Sequence, residues 1–122
     1  MGNEIKVNEF IRTKYGEIAK VIEYKDEIVL DKEIKFYGMY RGYICEDEID
    51  FIVKHSSNLI DLIQCGDYVN GKQVSNVDKI DNINFIEWTD GDMYKTEIEN
   101  DKFIKTIVTK EMMESVSYKV KE

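Results

Sequence analysis

Apolar side chains recur at every second position through most of this chain, and long stripes with a 3.6-residue period are missing, so the pattern predicts a β-dominated protein. Residues 7–14 (Val-Asn-Glu-Phe-Ile-Arg-Thr-Lys) read as a first strand and Tyr15-Gly16-Glu17 as its turn. Residues 18–24 read as the returning strand, with Ile18, Lys20, Ile22 and Tyr24 on one face. Lys25-Asp26-Glu27 turns the chain again. Short strands at 28–30 and 34–37 flank Asp31-Lys32, and residues 40–44 lead into the acidic run Glu46-Asp47-Glu48. Residues 49–54 read as a further strand, alternating Ile49, Phe51 and Val53 with Asp50, Ile52 and Lys54.

The middle of the chain changes period. Ser56 or Ser57 can cap a short helix over residues 56–64 whose apolar side is Leu59, Ile60, Leu62 and Ile63, and at two turns it must pack on a sheet. Gly66-Asp67 ends it. Tyr68-Val69 and residues 73–77 then flank Asn70-Gly71, the strongest two-residue hairpin signal because both positions must take positive φ. A second hairpin runs from 83–88 through Asp90-Gly91 into 93–98. Asn100-Asp101 turns into a strand at 103–108, and Thr109 caps a second short helix with Glu111 in its first turn. Val116, Tyr118 and Val120 alternate as a closing strand.

Strands at this spacing with only two short helices predict a mainly β (α+β) fold: either a small, strongly curved β-barrel or paired small antiparallel sheets. The strand, glycine turn, strand rhythm at residues 12–22 is that of Tudor-like and KOW-like barrels. Length alone predicts one domain over 1–122. Phe10-Ile11 before Gly16 and Tyr68-Val69 before Gly71 echo one another, which leaves open two β units, about 1–54 and 66–122, joined by the short helix at 56–64.

Charge narrows the function classes. A net charge of -8 argues against phosphate-backbone binding as the main activity, because such affinity comes from Lys and Arg displacing counterions. A local strip at Arg12, Lys14 and Lys20 is the weaker nucleic-acid alternative. The acidic balance favours partners with basic surfaces. Ile, Lys, Asn, Asp and Glu are abundant, Arg occurs only at Arg12 and Arg41, and Pro is absent, a bias that matches an AT-rich bacterial or phage genome. Cys45, Cys65 and a single His cannot supply the usual four-ligand zinc set, and two reduced cysteines fit a cytoplasmic location. No metal or cofactor is expected. The start, Met-Gly-Asn-Glu-Ile-Lys, carries no apolar signal segment, and no run approaches the ~18 apolar residues of a membrane span.

Candidate chemistry is sparse. His55, Ser56, Ser57 and Asp61 hold the residue types of a nucleophilic relay, but neighbours on a strand end and a cap lack its geometry, so a structural role is expected. Asp90-Gly91-Asp92 lacks the spaced ligand series of a calcium loop and reads as a hairpin tip. Glu46, Asp47, Glu48 and Asp50 form the densest of three acidic clusters, either a solvated face or an interaction surface that imitates nucleic acid. In Phe36-Tyr37-Gly38-Met39-Tyr40-Arg41-Gly42-Tyr43, the set Tyr37, Tyr40, Arg41 and Tyr43 can anchor a protein partner or stack a nucleobase, or form the core of a bent strand pair.

The segment 52–71 (Ile-Val-Lys-His-Ser-Ser-Asn-Leu-Ile-Asp-Leu-Ile-Gln-Cys-Gly-Asp-Tyr-Val-Asn-Gly), with Ile107-Val-Thr-Lys-Glu-Met-Met-Glu and the hairpin at 12–22, resembles a family of small uncharacterised proteins encoded in phages and prophages of clostridia, listeria and relatives. No functional residue transfers with the resemblance. It implies a phage accessory product, a class rich in non-enzymatic inhibitors of host defence. The expectation is therefore a protein, not an enzyme, that binds a host defence component with a basic surface, such as a CRISPR effector. The alternative is a homo-oligomeric binder that sequesters a nucleotide immune signal through Tyr37, Tyr40, Arg41 and Tyr43.

Overall fold

Positive φ at Gly16 and Gly38 sets the two tight turns that give the first half of the chain its meander. The computed structural model describes residues 4–81, 83–97 and 102–116. The chain divides into two compact units, Met1–Leu62 and Ile63–Glu122. Each unit holds one five-stranded antiparallel sheet, so of the two expected architectures the one built from two small antiparallel sheets is found. The barrel expectation is corrected: among the described residues the end strands of each sheet do not pair with each other.

The first unit comprises β1 (Phe10–Thr13), β2 (Ile18–Tyr24), β3 (Glu27–Phe36), β4 (Met39–Cys45), a 3₁₀ turn (Glu46–Phe51), β5 (Ile52–Ser56) and a second 3₁₀ turn (Leu59–Leu62). Its sheet order is β4-β3-β2-β1-β5. Ile5, Ile11, Ala19, Val21, Ile28, Leu30, Ile34, Ile44 and Phe51 form its core.

In β2 the buried residues are Ala19 and Val21, not the alternate set, and Ile22 faces solvent. Ile11 pairs directly with Ala19, which fixes that face inward, and a register shift between Val21 and Glu23 brings Tyr24 back against the core. Asp31-Lys32 does not break β3 into two strands. A register shift against β4 between Val29 and Ile34 absorbs the extra residues, and on the β2 side carboxylates take backbone N–H groups. Asp31 accepts the Lys20 N–H (2.9 Å) and Glu17 accepts the Lys35 N–H (2.9 Å).

Residues 49–54 are not one strand. Glu48 accepts the Cys45 backbone N–H (3.0 Å), and this cap, with three acidic residues in the first turn, winds 46–51 into a 3₁₀ turn that delivers Phe51 to the core. The helix expected at 56–64 shrinks to the four-residue turn Leu59–Leu62. Ser56 still caps it, accepting the Asn58 N–H (3.1 Å) while donating to Asp61 (2.6 Å), and Ile60 and Leu62 are buried. Arg12 is fully buried and donates from Nη1 to the Leu62 carbonyl (2.8 Å), which removes it from any surface strip with Lys14 and Lys20.

The second unit comprises β6 (Tyr68–Val69), β7 (Lys72–Ile80), β8 (Ile83–Trp88), β9 (Met93–Glu97), β10 (Ile107–Val108) and helix α1 (Lys110–Val116), with sheet order β10-β6-β7-β8-β9. Asn70 and Gly71 take φ of 53° and 86°, the expected two-residue hairpin turn. The strand expected at 103–108 is only β10, because the Asn70 side chain takes the N–H groups of Lys105 and Thr106 and donates to the Phe103 carbonyl. Thr109 caps α1 through the Met112 N–H (3.3 Å). Buried Asp67 accepts the N–H groups of Lys110 (2.9 Å) and Gln64 (2.7 Å). Val116 belongs to α1 and not to a closing strand. Ile98, the Asn100-Asp101 turn, Tyr118 and Val120 lie outside the described residues.

The two units repeat one topology. In each, the first strand lies between the second and the fifth, the third follows on the second, and the fourth occupies the outer edge. A positive-φ glycine sits in both first–second turns (Gly16, Gly71) and both third–fourth turns (Gly38, Gly91). No helix among the described residues is long and apolar enough to cross a membrane.

Candidate functional site

The two-residue turn between β3 and β4 is Tyr37-Gly38, with φ of 45° and 88°. Both must be positive to match strand twist, and the first position usually holds Asn, Asp or Gly. A bulky residue there costs on the order of 1–3 kcal/mol. The Tyr37 ring offsets that cost by packing on Phe36 (centroids 4.7 Å), Phe51 (5.5 Å) and Tyr15 (6.0 Å), each pair worth about 0.5–1.5 kcal/mol. Phe36 and Tyr15 also meet Phe51 edge-on, at 4.6 and 5.3 Å. The rings pack on one another around the turn.

Tyr37 and Tyr40 project from this tip at 64% and 65% exposure, with Met39 between them at 53%. Arg41 and Tyr43 are half-buried. The Arg41 guanidinium carbon lies 3.7 Å from the Phe36 ring centroid and 4.7 Å from that of Tyr43, and the guanidinium donates to the Glu48 carboxylate. Burial works against the Arg41 charge, but the Glu48 and Tyr43 bonds outweigh it and hold its pKa above the ordinary value. The Cys45 N–H and Arg41 hold Glu48 below the ordinary carboxylate range. One hairpin thus unites the four aromatic and basic candidates, but Arg41 serves as a brace and only the two tyrosines face out.

The acidic candidates divide in the same way. Glu46, Asp47 and Asp50 are exposed on the 3₁₀ turn, and Glu48 points inward to Arg41. Phe51 closes that turn and packs on Tyr37, so the end of the turn meets the aromatic tip, whereas Glu46 follows Cys45, which pairs with Glu27 at the far end of the β3–β4 ladder. The donor atoms of Cys45, Asp47 and Glu48 lie within 4.8 Å of one another. Burial and the neighbouring Glu48 push the Cys45 thiol above its ordinary pKa, and Glu48 is already committed to Arg41 and a backbone N–H, so the group is a poor cation cradle.

Sequence reasoning missed Tyr15, Met39 and Phe51. Tyr15 stands beside a turn glycine and Phe51 alternates as on a strand face, so neither carries a local signal linking it to residues 36–43; the topology brings them together. His55 binds Glu9 through Nδ1 (2.8 Å), while Ser56 and Asp61 form the cap already described. Asp90 and Asp92 hold the Lys72 ammonium at a hairpin tip, 4.9 Å over the Trp88 ring.

Glu48 makes the brace sensitive to acid. Its folded-state pKa is depressed, so its contribution is fully present above the ordinary value of 4.5 and is lost as pH falls through the folded-state value. In thermal melts, the advantage of the wild type over Glu48→Gln is expected to be constant from pH 7 to about 4.5 and to narrow below it. A gap independent of pH down to 3 would remove Glu48 from the brace.

No protein-family model, no curated protein and no solved structure matches this chain.

Proposed function

We propose that this protein acts by binding and not by turnover, as a phage-type accessory inhibitor of a host defence protein, and that its recognition face is the β3–β4 tip with the acidic turn beside it. The observation that carries this reading is the trio Tyr37, Met39 and Tyr40, three large side chains exposed together on a braced hairpin. Large apolar side chains normally reach solvent singly, and Tyr and Met are enriched where proteins meet. Ring packing and the Arg41 clasp fix the tip before contact, which lowers the ordering cost of binding. The exposed Glu46, Asp47 and Asp50 of the turn that leads into Phe51, on a chain of net charge -8, suit a basic partner. The phage accessory role and the defence target rest on the resemblance of residues 52–71 and 107–114. Arg41 is engaged by two rings and a carboxylate, which favours a protein partner over a nucleotide whose phosphate would need that guanidinium.

Tyr40→Ala tests the reading without touching the core. Wild-type protein, immobilised in a lysate of a defence-bearing host, is expected to retain one basic protein reproducibly and to restore phage plating on those cells. Tyr40→Ala is expected to weaken both by about tenfold or more, the loss of a typical interface anchor, at an unchanged melting temperature. Retention and plating indifferent to Tyr40, or a nucleotide that raises the melting temperature, would overturn the proposal.

A further inference from the structure

The only two Met-Tyr dipeptides in the chain, Met39-Tyr40 and Met93-Tyr94, both open the fourth strand of a unit. Both follow a positive-φ turn glycine (Gly38, Gly91) and both precede a basic residue (Arg41, Lys95). The strands they open, β4 and β9, hold the same outer-edge position in the repeated topology. Exposure repeats as well: Met93 is 62% and Tyr94 39% exposed. Tyr94 is steadied by an aromatic neighbour as Tyr37 is, stacking on Phe103 with centroids 4.1 Å apart at 28°. The apex of this tip carries two acidic residues. Asp90 and Asp92 share a single Lys72 ammonium, which leaves one formal negative charge among those three groups.

We infer that the β8–β9 hairpin of the second unit is a second recognition tip, and that a Lys/Arg-rich protein surface occupies it as one occupies the first, giving a bivalent chain. This rests on the binding function proposed for the β3–β4 tip. The repeat is not a copy. The second connection is longer, which places Asp90 and Asp92 at the tip itself, and Lys95 faces solvent where Arg41 is clasped. Carboxylates at the apex and a tyrosine beside them make the second tip the more electrostatic of the two.

Methionine methyl groups report on both tips directly. The full chain, labelled at the methionine methyls, is titrated with a nona-arginine peptide at physiological salt, with Met39→Leu and Met93→Leu assigning the signals. Both signals are expected to move, with affinities within about threefold of each other and two peptides bound per chain. Tyr94→Ala is expected to weaken the Met93 response about tenfold and leave the Met39 response in place. Movement of Met39 alone, or a Met93 response indifferent to Tyr94, overturns the second tip and leaves the first standing. No movement at either overturns the basic-partner reading and this inference with it. Equal movement at Met112 and Met113 on α1 marks non-specific coating and also overturns the inference.

Discussion

Ile44→Ala is expected to cost the first unit about 2–5 kcal/mol in urea denaturation followed by far-UV circular dichroism. Ile44 is fully buried in β4, lies directly across the ladder from Ile28, which is also fully buried, and belongs to one cluster with Ile34 and Phe51. The change deletes three carbons. At roughly 0.8 kcal/mol per buried methylene the transfer loss alone is about 2.4 kcal/mol, and the cavity adds to it because paired strands cannot collapse into the gap. Ile44→Val, which deletes one carbon, is expected to cost about 0.5–1.5 kcal/mol. In a unit this small the larger loss is a substantial part of the whole stability. An alanine variant within 1 kcal/mol of wild type would mean that Ile44 does not pack as the cluster requires.

Asp67→Ala is expected to be of similar size through another cause. The Asp67 carboxylate is fully buried and accepts backbone N–H groups from Gln64 and Lys110. Hydrogen bonds to a charged acceptor contribute about 1.5–3 kcal/mol each. Lys110 begins α1, and a seven-residue helix has too little cooperativity to hold itself without that anchor. The expected result is a loss of about 3 kcal/mol or more, with much faster amide exchange at Gln64 and at Lys110 through Met113. Asp67→Asn keeps one acceptor oxygen and is expected to lose less. Exchange at Lys110 unchanged by the alanine would show that α1 is held by other means.

Both sites show what side-chain pattern can and cannot reveal. The 18–24, 83–88 and Asn70-Gly71 elements were legible because alternation and paired turn residues are local signals. The 3₁₀ turn at 46–51 was not, since Ile49, Phe51 and Val53 alternate as in a strand. What decides against that strand is a carboxylate reaching back to the Cys45 N–H, an interaction that hydrophobic period does not register. The continuity of β3 through Asp31-Lys32 was hidden for a related reason, because carboxylates of Asp31 and Glu17 satisfy backbone N–H groups beside the register shift, which side-chain period does not register. The candidate tip was half visible. Tyr37, Tyr40, Arg41 and Tyr43 stood out by composition, but which of them face solvent depends on Glu48, Phe51 and Tyr15, each set in place by long-range pairing.

The single tryptophan, Trp88, is buried in the second unit with its indole N–H donated to the Val69 carbonyl (3.3 Å). Light at the red edge of aromatic absorption therefore excites residues 63–122 only, while the tyrosines of the first unit stay dark. Emission followed through a denaturant series traces one unit, and circular dichroism traces both, so the molecule carries a built-in optical separation of its two halves with no label attached.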